Sequence, residues 1–259
     1  ATGAAASPAT AELHRAPDAG PPTQAADLPP PSRVQFTQTR QVQPDDTTLA
    51  HNRVIAAALN DARVGVYRQL RSQVLDAMHR NGWKTLAVTS AHENAGKTLT
   101  ALNLAIAISQ EVNQTVMLVD LDLRKPGVHT TLGIEIDRGI VDHLQHDAPL
   151  DSVLINPDFP RLVILPGLAQ GRNASEILTS PEMKAFLGDI TTRYPDRLII
   201  FDLPPLLRND DAMAFVPSAD CCLLVVEDGV TTPDQLERSR KLLRHAHVLG
   251  TVLNKARQA

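Results

Sequence analysis

The sequence predicts an α/β domain with a mostly parallel central sheet flanked by helices. Three observations carry this. Apolar strand-like runs alternate with helical periodicities through most of the chain. One of those runs, beginning at Leu86, enters a tight Gly-Lys-Thr loop and then a helix. Two later runs end in carboxylates, at Asp120 with Asp122 and at Asp202. At 259 residues the chain is long enough for one well-buried domain with appendages.

Composition narrows the function. The formal net charge is −4 and no basic block of the kind a nucleic-acid footprint needs is present, so nucleic acid is not an expected partner. Cys221 and Cys222 are adjacent inside an apolar run, which reads as the two faces of a buried strand in a reducing compartment, not as a disulfide or metal site. No run approaches the roughly 18 apolar residues of a transmembrane helix, and the N-terminus lacks a charged-then-apolar leader pattern. The expectation is a cytoplasmic protein that can dock on a membrane partner.

From Ala1 to about Thr48 the chain is rich in Ala, Pro, Thr, Gln and Asp, with Pro21-Pro22 and Pro29-Pro30-Pro31. Such a segment buries too little apolar surface to fold alone and reads as a disordered tether. The expected boundary is residue 60, with 1–60 an Ala/Pro-rich arm and 61–259 the folded domain. From Asp61 to His79, Val64, Tyr67, Leu70, Val74 and Met78 recur at helical spacing, and Asn81-Gly82 closes the helix. Its polar side carries Arg68 and Arg71, read as a solvated charged face, with an oligomer contact as the sharper alternative.

The loop is the stretch around which the chain is organised. A phosphate-binding loop needs inward backbone N–H groups, a cation for the β/γ-phosphates and a hydroxyl for Mg²⁺. Ala95-Gly96-Lys97-Thr98 supplies all three, ahead of a helix carrying Leu99, Leu102, Leu104 and Ile106. The first Gly of the usual G-x-x-x-x-G-K-[ST] pattern is here Ala91. Ligands bind at the C-terminal ends of strands in open α/β sheets, so Asp120 and Asp122 are expected beside the loop. Asp202, before Pro204-Pro205, is the third acid expected there. Mg²⁺ keeps several waters and uses few protein carboxylates, which suits this set.

The remaining elements are a short helix over Ile140 to Gln145, a strand over Arg161 to Leu165, and helices opening at Asn173 and at Ser180-Pro181. A strand over Cys221 to Glu227, a helix from Thr232 to His245 and a last strand over Leu249 to Asn254 complete the domain. The acids of Asn209-Asp210-Asp211 suit either the dipole of the helix they open or a catalytic part.

In this order and spacing, the Gly-Lys-Thr loop, Asp120-x-Asp122-x-Arg124 and Asp202-Leu-Pro-Pro resemble the cytoplasmic bacterial tyrosine kinases of capsule and exopolysaccharide export. More narrowly they resemble the subgroup associated with chain-length determinants. The resemblance runs from about Ala62 to Asn254. It implies a P-loop NTPase of the MinD/ParA-related type that uses ATP, releasing ADP, with Mg²⁺, and transfers the γ-phosphate to protein tyrosines. It also implies an inner-membrane polysaccharide co-polymerase as partner, and hence a peripheral place at the inner face of the cell membrane.

Carried over by position, the resemblance implies that Asn94, Ala95, Gly96, Lys97, Thr98 and Leu99 cradle the nucleotide, with Lys97 on the β/γ-phosphates. Thr98 would ligate Mg²⁺ with Asp120, Asp122 and Asp202 around it, and Asp120 or Asp122 would take the tyrosine's proton. Asn254 matches the family's adenine-reading Asn. Three departures stand out. Pro-Gly-Glu ahead of the loop is replaced by Glu93-Asn94-Ala95, a change that a left-handed Asn94 can shape. The ring-forming Glu-x-x-Arg-x-x-Arg is Gly65-x-x-Arg68-x-x-Arg71, so expected self-association lacks its acidic member. The segment after Asn254 has no tyrosine cluster, and the chain holds only Tyr67 and Tyr194, which places the acceptor tyrosines on another protein. The alternative is an ATP-binding switch of the same fold, docking on the co-polymerase without kinase activity. A ParA/MinD positioning ATPase carries a Lys five residues before the loop Lys, where this chain has His92.

Overall fold

Alternating side chains of the strands feed two apolar cores, one on each face of a single eight-stranded sheet. The computed structural model describes residues 39–58, 63–170, 173–194 and 196–256. The strands are β1 (Arg40–Gln41), β2 (Thr85–Ser90), β3 (Thr115–Asp120), β4 (Ile155–Asn156), β5 (Leu162–Leu165), β6 (Arg197–Asp202), β7 (Cys221–Glu227) and β8 (Val248–Asn254). Their order is β1-β4-β5-β3-β6-β2-β7-β8, and β4–β5 is the one antiparallel pairing among them. In β3, Val116 and Leu118 enter one core while Met117 and Val119 enter the other, the period of two that a strand covered on both faces requires. Cys221 and Cys222 divide between the same two cores as free, buried thiols, and burial pushes both up to about 12.

On one face lie α1 (Asp46–His51), α2 (Val64–Asn81), α3 (Lys97–Ser109) and α4 (Val128–Leu132). On the other lie α5 (Ile140–Gln145), α6 (Leu150–Val153), α7 (Ala174–Thr179), α8 (Pro181–Arg193) and α9 (Asp211–Phe215); α10 (Pro233–Leu242) leads to Leu243, which closes that core. Local chemistry sets the boundaries. Gly82, at φ 67°, ends α2 with its N–H on the His79 and Met78 carbonyls. Ser180 caps α8 through the Met183 N–H, and Thr232 and Gln235 form a capping box on α10.

Three expectations need correction. The arm does not extend to residue 60: β1, α1 and the 3₁₀ turn Ile55–Ala57 belong to the folded body, with Leu49, Val54 and Ala56 buried. Besides these apolar residues, polar side chains on α3 and at its C-terminal cap hold the segment. Asn103 accepts the Ala56 N–H at 2.8 Å and donates to the Arg53 carbonyl, and Gln110 donates to the Ala56 carbonyl at 2.9 Å. Such anchoring leaves no apolar period to read. Residues 1–38, the larger part of the expected arm, and 59–62 at its boundary lie outside the described residues. Arg71, expected on a solvated face, folds inward instead; it meets Glu111 at 2.8 Å while Arg68 is exposed. Finally, α10 stops at Leu242, three residues before His245, where the Arg244 and Ala246 N–H groups turn to carbonyls three residues back, those of Lys241 and Leu243, and the i→i−4 ladder ends.

Strand order positions the site. β6 lies between β3 and β2, with Asp120 in register with Asp202 and Val88 in register with Asp202 on the other side. The loop after β2 and two of the acidic strand ends therefore share one edge of the sheet.

Candidate functional site

Between β2 and α3 the chain turns at two left-handed residues, Asn94 at φ 60° and Gly96 at φ 96°. Asn94 tolerates that conformation through its short polar side chain, as the sequence led us to expect. Gly96 is required on a second ground, since a Cβ there would fall 2.0 Å from the Asn254 amide nitrogen. Among the described residues, the backbone N–H groups from Glu93 to Thr98 make no hydrogen bond. They form a row of unused donors at the N-terminus of α3, which is what an anion-binding loop presents.

Lys97 begins α3 and is 9% exposed. Its Nζ lies 2.8 Å from Asp122 Oδ2 and 3.6 Å from Asp202 Oδ1, and donates to Thr98 Oγ1 at 3.2 Å. Thr98 Oγ1 in turn donates to Asp202 Oδ2 at 2.6 Å, while Asp202 Oδ1 is buried without a hydrogen-bond partner. Asp120 bonds the backbone through both oxygens. Its Oδ2 accepts the Gly127 and Val128 N–H groups, each at 2.9 Å, and Oδ1 accepts the Asp122 N–H at 3.2 Å.

Electrostatics follow from this burial. Burial alone would lower the Lys97 pKa, but the carboxylates of Asp202, Asp122 and Asp120 outweigh it and hold the ammonium above its usual value. Burial raises Asp202, against the opposing pull of Lys97. Asp120 is pushed up to about 7, first by burial and then by the Asp202 charge. One ammonium beside three buried carboxyls leaves a surplus that a proton meets, as the raised Asp120 and Asp202 show, or that a further cation can meet in its place.

A cavity of about 320 Å³ opens over the loop, lined by Asn94, Gly96, Lys97, Thr98, Leu99 and Asp122 together with Lys125 and Gly127. Asp202, Asp120 and Ala95 lie buried below that lining, and Asn254 sits on the outer side of the loop with its Nδ2 on the Ala95 carbonyl at 2.9 Å. A larger cavity, about 360 Å³, lies at the opposite end of the sheet near Trp83 and Arg197. It has no buried acid–base cluster, and we assign the chemistry to the smaller one. The donor set fits Mg²⁺ with a nucleotide: hard oxygens from a hydroxyl and carboxylates, beside unused N–H groups for phosphate. Among the described residues no three His, Cys, Asp or Glu side chains converge to hold a metal unaided.

Several contacts had no legible signal in the sequence. Asp211, 1% exposed, stands in the first turn of α9 as the dipole reading expected, and takes Arg124 in a two-point pair at 2.5 and 3.0 Å away from the cavity lining. Glu93 pairs with Arg208, His92 Nε2 meets Thr231 Oγ1 at 2.9 Å, and Lys255 reaches the Asn94 carbonyl at 2.7 Å. Each joins residues far apart in the chain without a spacing rule.

Comparison with known proteins decides the family. The chain is 30% identical over 190 residues to the tyrosine-protein kinase YwqD of Bacillus subtilis, spanning 73% of this chain and 79% of that protein. The chain belongs to the bacterial tyrosine-protein kinase family. The succinoglycan biosynthesis transport protein ExoP of Rhizobium meliloti is 33% identical over 178 residues, 66% of this chain and 22% of that protein. Against this longer relative, then, the chain matches about a fifth of the length. No family model matches the chain. Among solved structures, the chimerical protein CapA2B2 superposes with a TM-score of 0.74 at 24% identity, covering 85% of this chain and 94% of that one. The kinase domain of Escherichia coli Etk gives 0.73 at 24%, covering 85% and 89%. The septum site-determining protein MinD of Pyrococcus horikoshii, complexed with Mg-ADP, gives 0.54 at 22%, covering 66% and 69%. The fold is that of the P-loop NTPases. Among the described residues of this family member, no helix is long and apolar enough to cross a membrane.

Proposed function

We propose that this family member is an Mg-ATP-dependent protein-tyrosine kinase with ATPase activity that works with a membrane chain-length determinant to regulate exopolysaccharide polymerisation and export. The observation that carries this is Lys97, buried against Asp122 and Asp202 beneath a loop of unused N–H groups. In this reading Asn94 to Leu99 hold the phosphates through their N–H groups, and the Lys97 ammonium neutralises the β/γ-phosphate oxygens. Thr98, Asp122 and Asp202 hold Mg²⁺, directly or through its waters, and the bound ion offsets charge on the phosphates. Asp122 is the better candidate for the tyrosine's proton, because it lines the cavity while Asp120 spends its oxygens on backbone donors. Asn254 keeps its amide oxygen for the adenine amino group.

The acceptor tyrosines lie on another protein in this reading. Tyr67 is partly buried against the α2–α3 core, where burial holds its phenol above the usual value, and Tyr194 lies beneath Arg197 at 3.8 Å. A membrane co-polymerase is the natural carrier, as the transport name of ExoP suggests, and it would hold this chain at the inner face of the membrane. The test is incubation with Mg²⁺ and γ-labelled ATP, alone and with the cytosolic segments of the membrane partner. Label on partner tyrosine that disappears in Lys97→Met is the expected result. Bound nucleotide with no protein label would leave the ATP-dependent switch instead.

A further inference from the structure

We propose that Lys255, held by Glu227, is a positioning residue for the nucleotide loop: it fixes the Asn94 carbonyl outward and so turns the Ala95 N–H toward the phosphates. The proposal rests on the Mg-ATP reading above and names a residue outside its motifs.

Every carbonyl from Ser90 to Gly96 has a donor. Ser90 and Ala91 receive the Leu206 and Leu207 N–H groups, at 2.8 and 3.2 Å, and His92 receives Ser90 Oγ at 2.7 Å. Glu93 receives His92 Nδ1 at 2.8 Å, Asn94 receives Lys255 Nζ at 2.7 Å, and Ala95 receives Asn254 Nδ2 at 2.9 Å. Gly96 receives the Thr100 N–H at 2.9 Å, the first bond of α3. A trans peptide plane points its carbonyl and the next N–H in opposite directions. Fixing the carbonyls of Glu93, Asn94 and Ala95 from outside therefore aims the N–H groups of Asn94, Ala95 and Gly96 inward.

Lys255 brings an ammonium to the loop, and a charge-assisted hydrogen bond is stronger than a neutral one. The ammonium is held in turn by Glu227 Oε1 at 2.9 Å. The Glu227 N–H is bound by Thr231 Oγ1 at 2.9 Å, and Thr231 reaches His92. A carbonyl cannot donate, so His92 carries a proton on Nδ1, and its Nε2 meets the Thr231 hydroxyl. Glu227 thus anchors two straps on the loop, one through Lys255 and one through Thr231 and His92. Lys255 itself stands at φ 58°, a conformation lysine seldom adopts, as does Asn94 at 60°. A loop lacking the family's Pro-Gly takes its shape from these contacts.

The test is calorimetric titration of the full chain with Mg-ADP, with hydrogen exchange read on the bound state. Lys255→Met should weaken binding about tenfold and speed exchange in residues 93–97, while exchange in β7 and β8 stays unchanged. Lys255→Arg should restore most of the affinity. Affinity within twofold in Lys255→Met, or faster exchange in β8 along with the loop, would overturn the proposal while the nucleotide reading stands. If the unaltered chain binds no Mg-ADP, that reading fails and takes this proposal with it.

Discussion

The two ends of the sheet make opposite use of similar space. At the N-terminal strand ends a cavity of about 360 Å³ is walled by Trp83, whose ring stacks on His247 at 5.4 Å, and by Arg197, whose guanidinium lies over Tyr194. At the C-terminal ends a cavity of about 320 Å³ stands above Lys97, Asp122, Asp202 and Asp120, none more than 9% exposed. Removing an ionised carboxylate from water costs several kcal/mol; Lys97 pairs with Asp122 and Asp202, and Asp120 is left to hold a proton up to about pH 7. A stable fold has no need of that arrangement. Volume therefore does not distinguish the ends; desolvated charge does.

The largest expected effect breaks the comparison at its charged end. Lys97→Met should lower phosphate transfer at least a thousandfold, the scale of losing one preorganised electrostatic partner in a closed site. It should also destabilise the nucleotide-free chain by about 3 kcal/mol at neutral pH, because Asp122 and Asp202 lose their cation. Denaturant unfolding checks the second part. An equal loss of activity from a substitution in the Trp83 cavity would erase the distinction between the ends.

The next effect is a pH dependence that the carboxylate cluster should impose. Asp120 stands at about 7 in the fold and near 4 when unfolded, so between those values the folded chain binds the extra proton. Stability is then highest below about pH 4 as far as this group is concerned, and falls as pH rises to about 7, by at most about 4 kcal/mol. Asp120→Asn should flatten that slope, and added Mg-nucleotide should reduce it. A nucleotide-free chain whose unfolding free energy is level across this range, or rises through it, would show that the cluster is not desolvated.

How much of this could be read in the chain depends on the range of the interaction. β2, β3, β5, β6, β7 and α3 were legible because burial on both faces leaves continuous apolar runs, whereas the two-residue strands β1 and β4 left none, and Asp120, Asp122, Asp202, Lys97 and Thr98 stand at strand ends or in a loop with a fixed spacing. The left-handed Asn94 was legible too, from conformational preference alone. What pairing across the sequence decides was not. The Arg124–Asp211 pair joins residues 87 apart, and the Lys255 contact with Asn94 joins residues 161 apart. The β1–α1 segment was missed because its anchors include the amides of Asn103 and Gln110, and helical periodicity records apolar contacts only. Which oxygen of Asp120 meets which backbone N–H is likewise a property of the folded loop.

A smaller effect sharpens the other side of the comparison. Trp83 is partly buried against the α2–α3 core, so Trp83→Ala should cost about 2 kcal/mol of stability, less than a fully buried Trp would. Its affinity for Mg-ADP should stay within twofold of the unaltered chain. Equal losses in stability and affinity would mean that the two ends are coupled through the sheet.

The smallest effect lies on α3, which joins the two ends and carries a cation near each. Lys97 stands at its first turn, buried among acids, where the helix dipole opposes a positive charge; it is tolerated because Asp122 and Asp202 flank it. Arg71, from α2, comes to the last turn, where it donates to the Ala107 carbonyl at 3.3 Å and meets Glu111 at 2.8 Å, and there the dipole favours it. Glu111 is 43% exposed, so solvent screens the pair, and Arg71→Met, which keeps the apolar stem, should cost only about 0.5 kcal/mol. Raising the salt to about 1 M should remove most of that difference, since the Debye length falls to about 3 Å. A loss above about 2 kcal/mol that persists in salt would mean Arg71 is a buried charge like Lys97, and the contrast between the ends of this helix would fail.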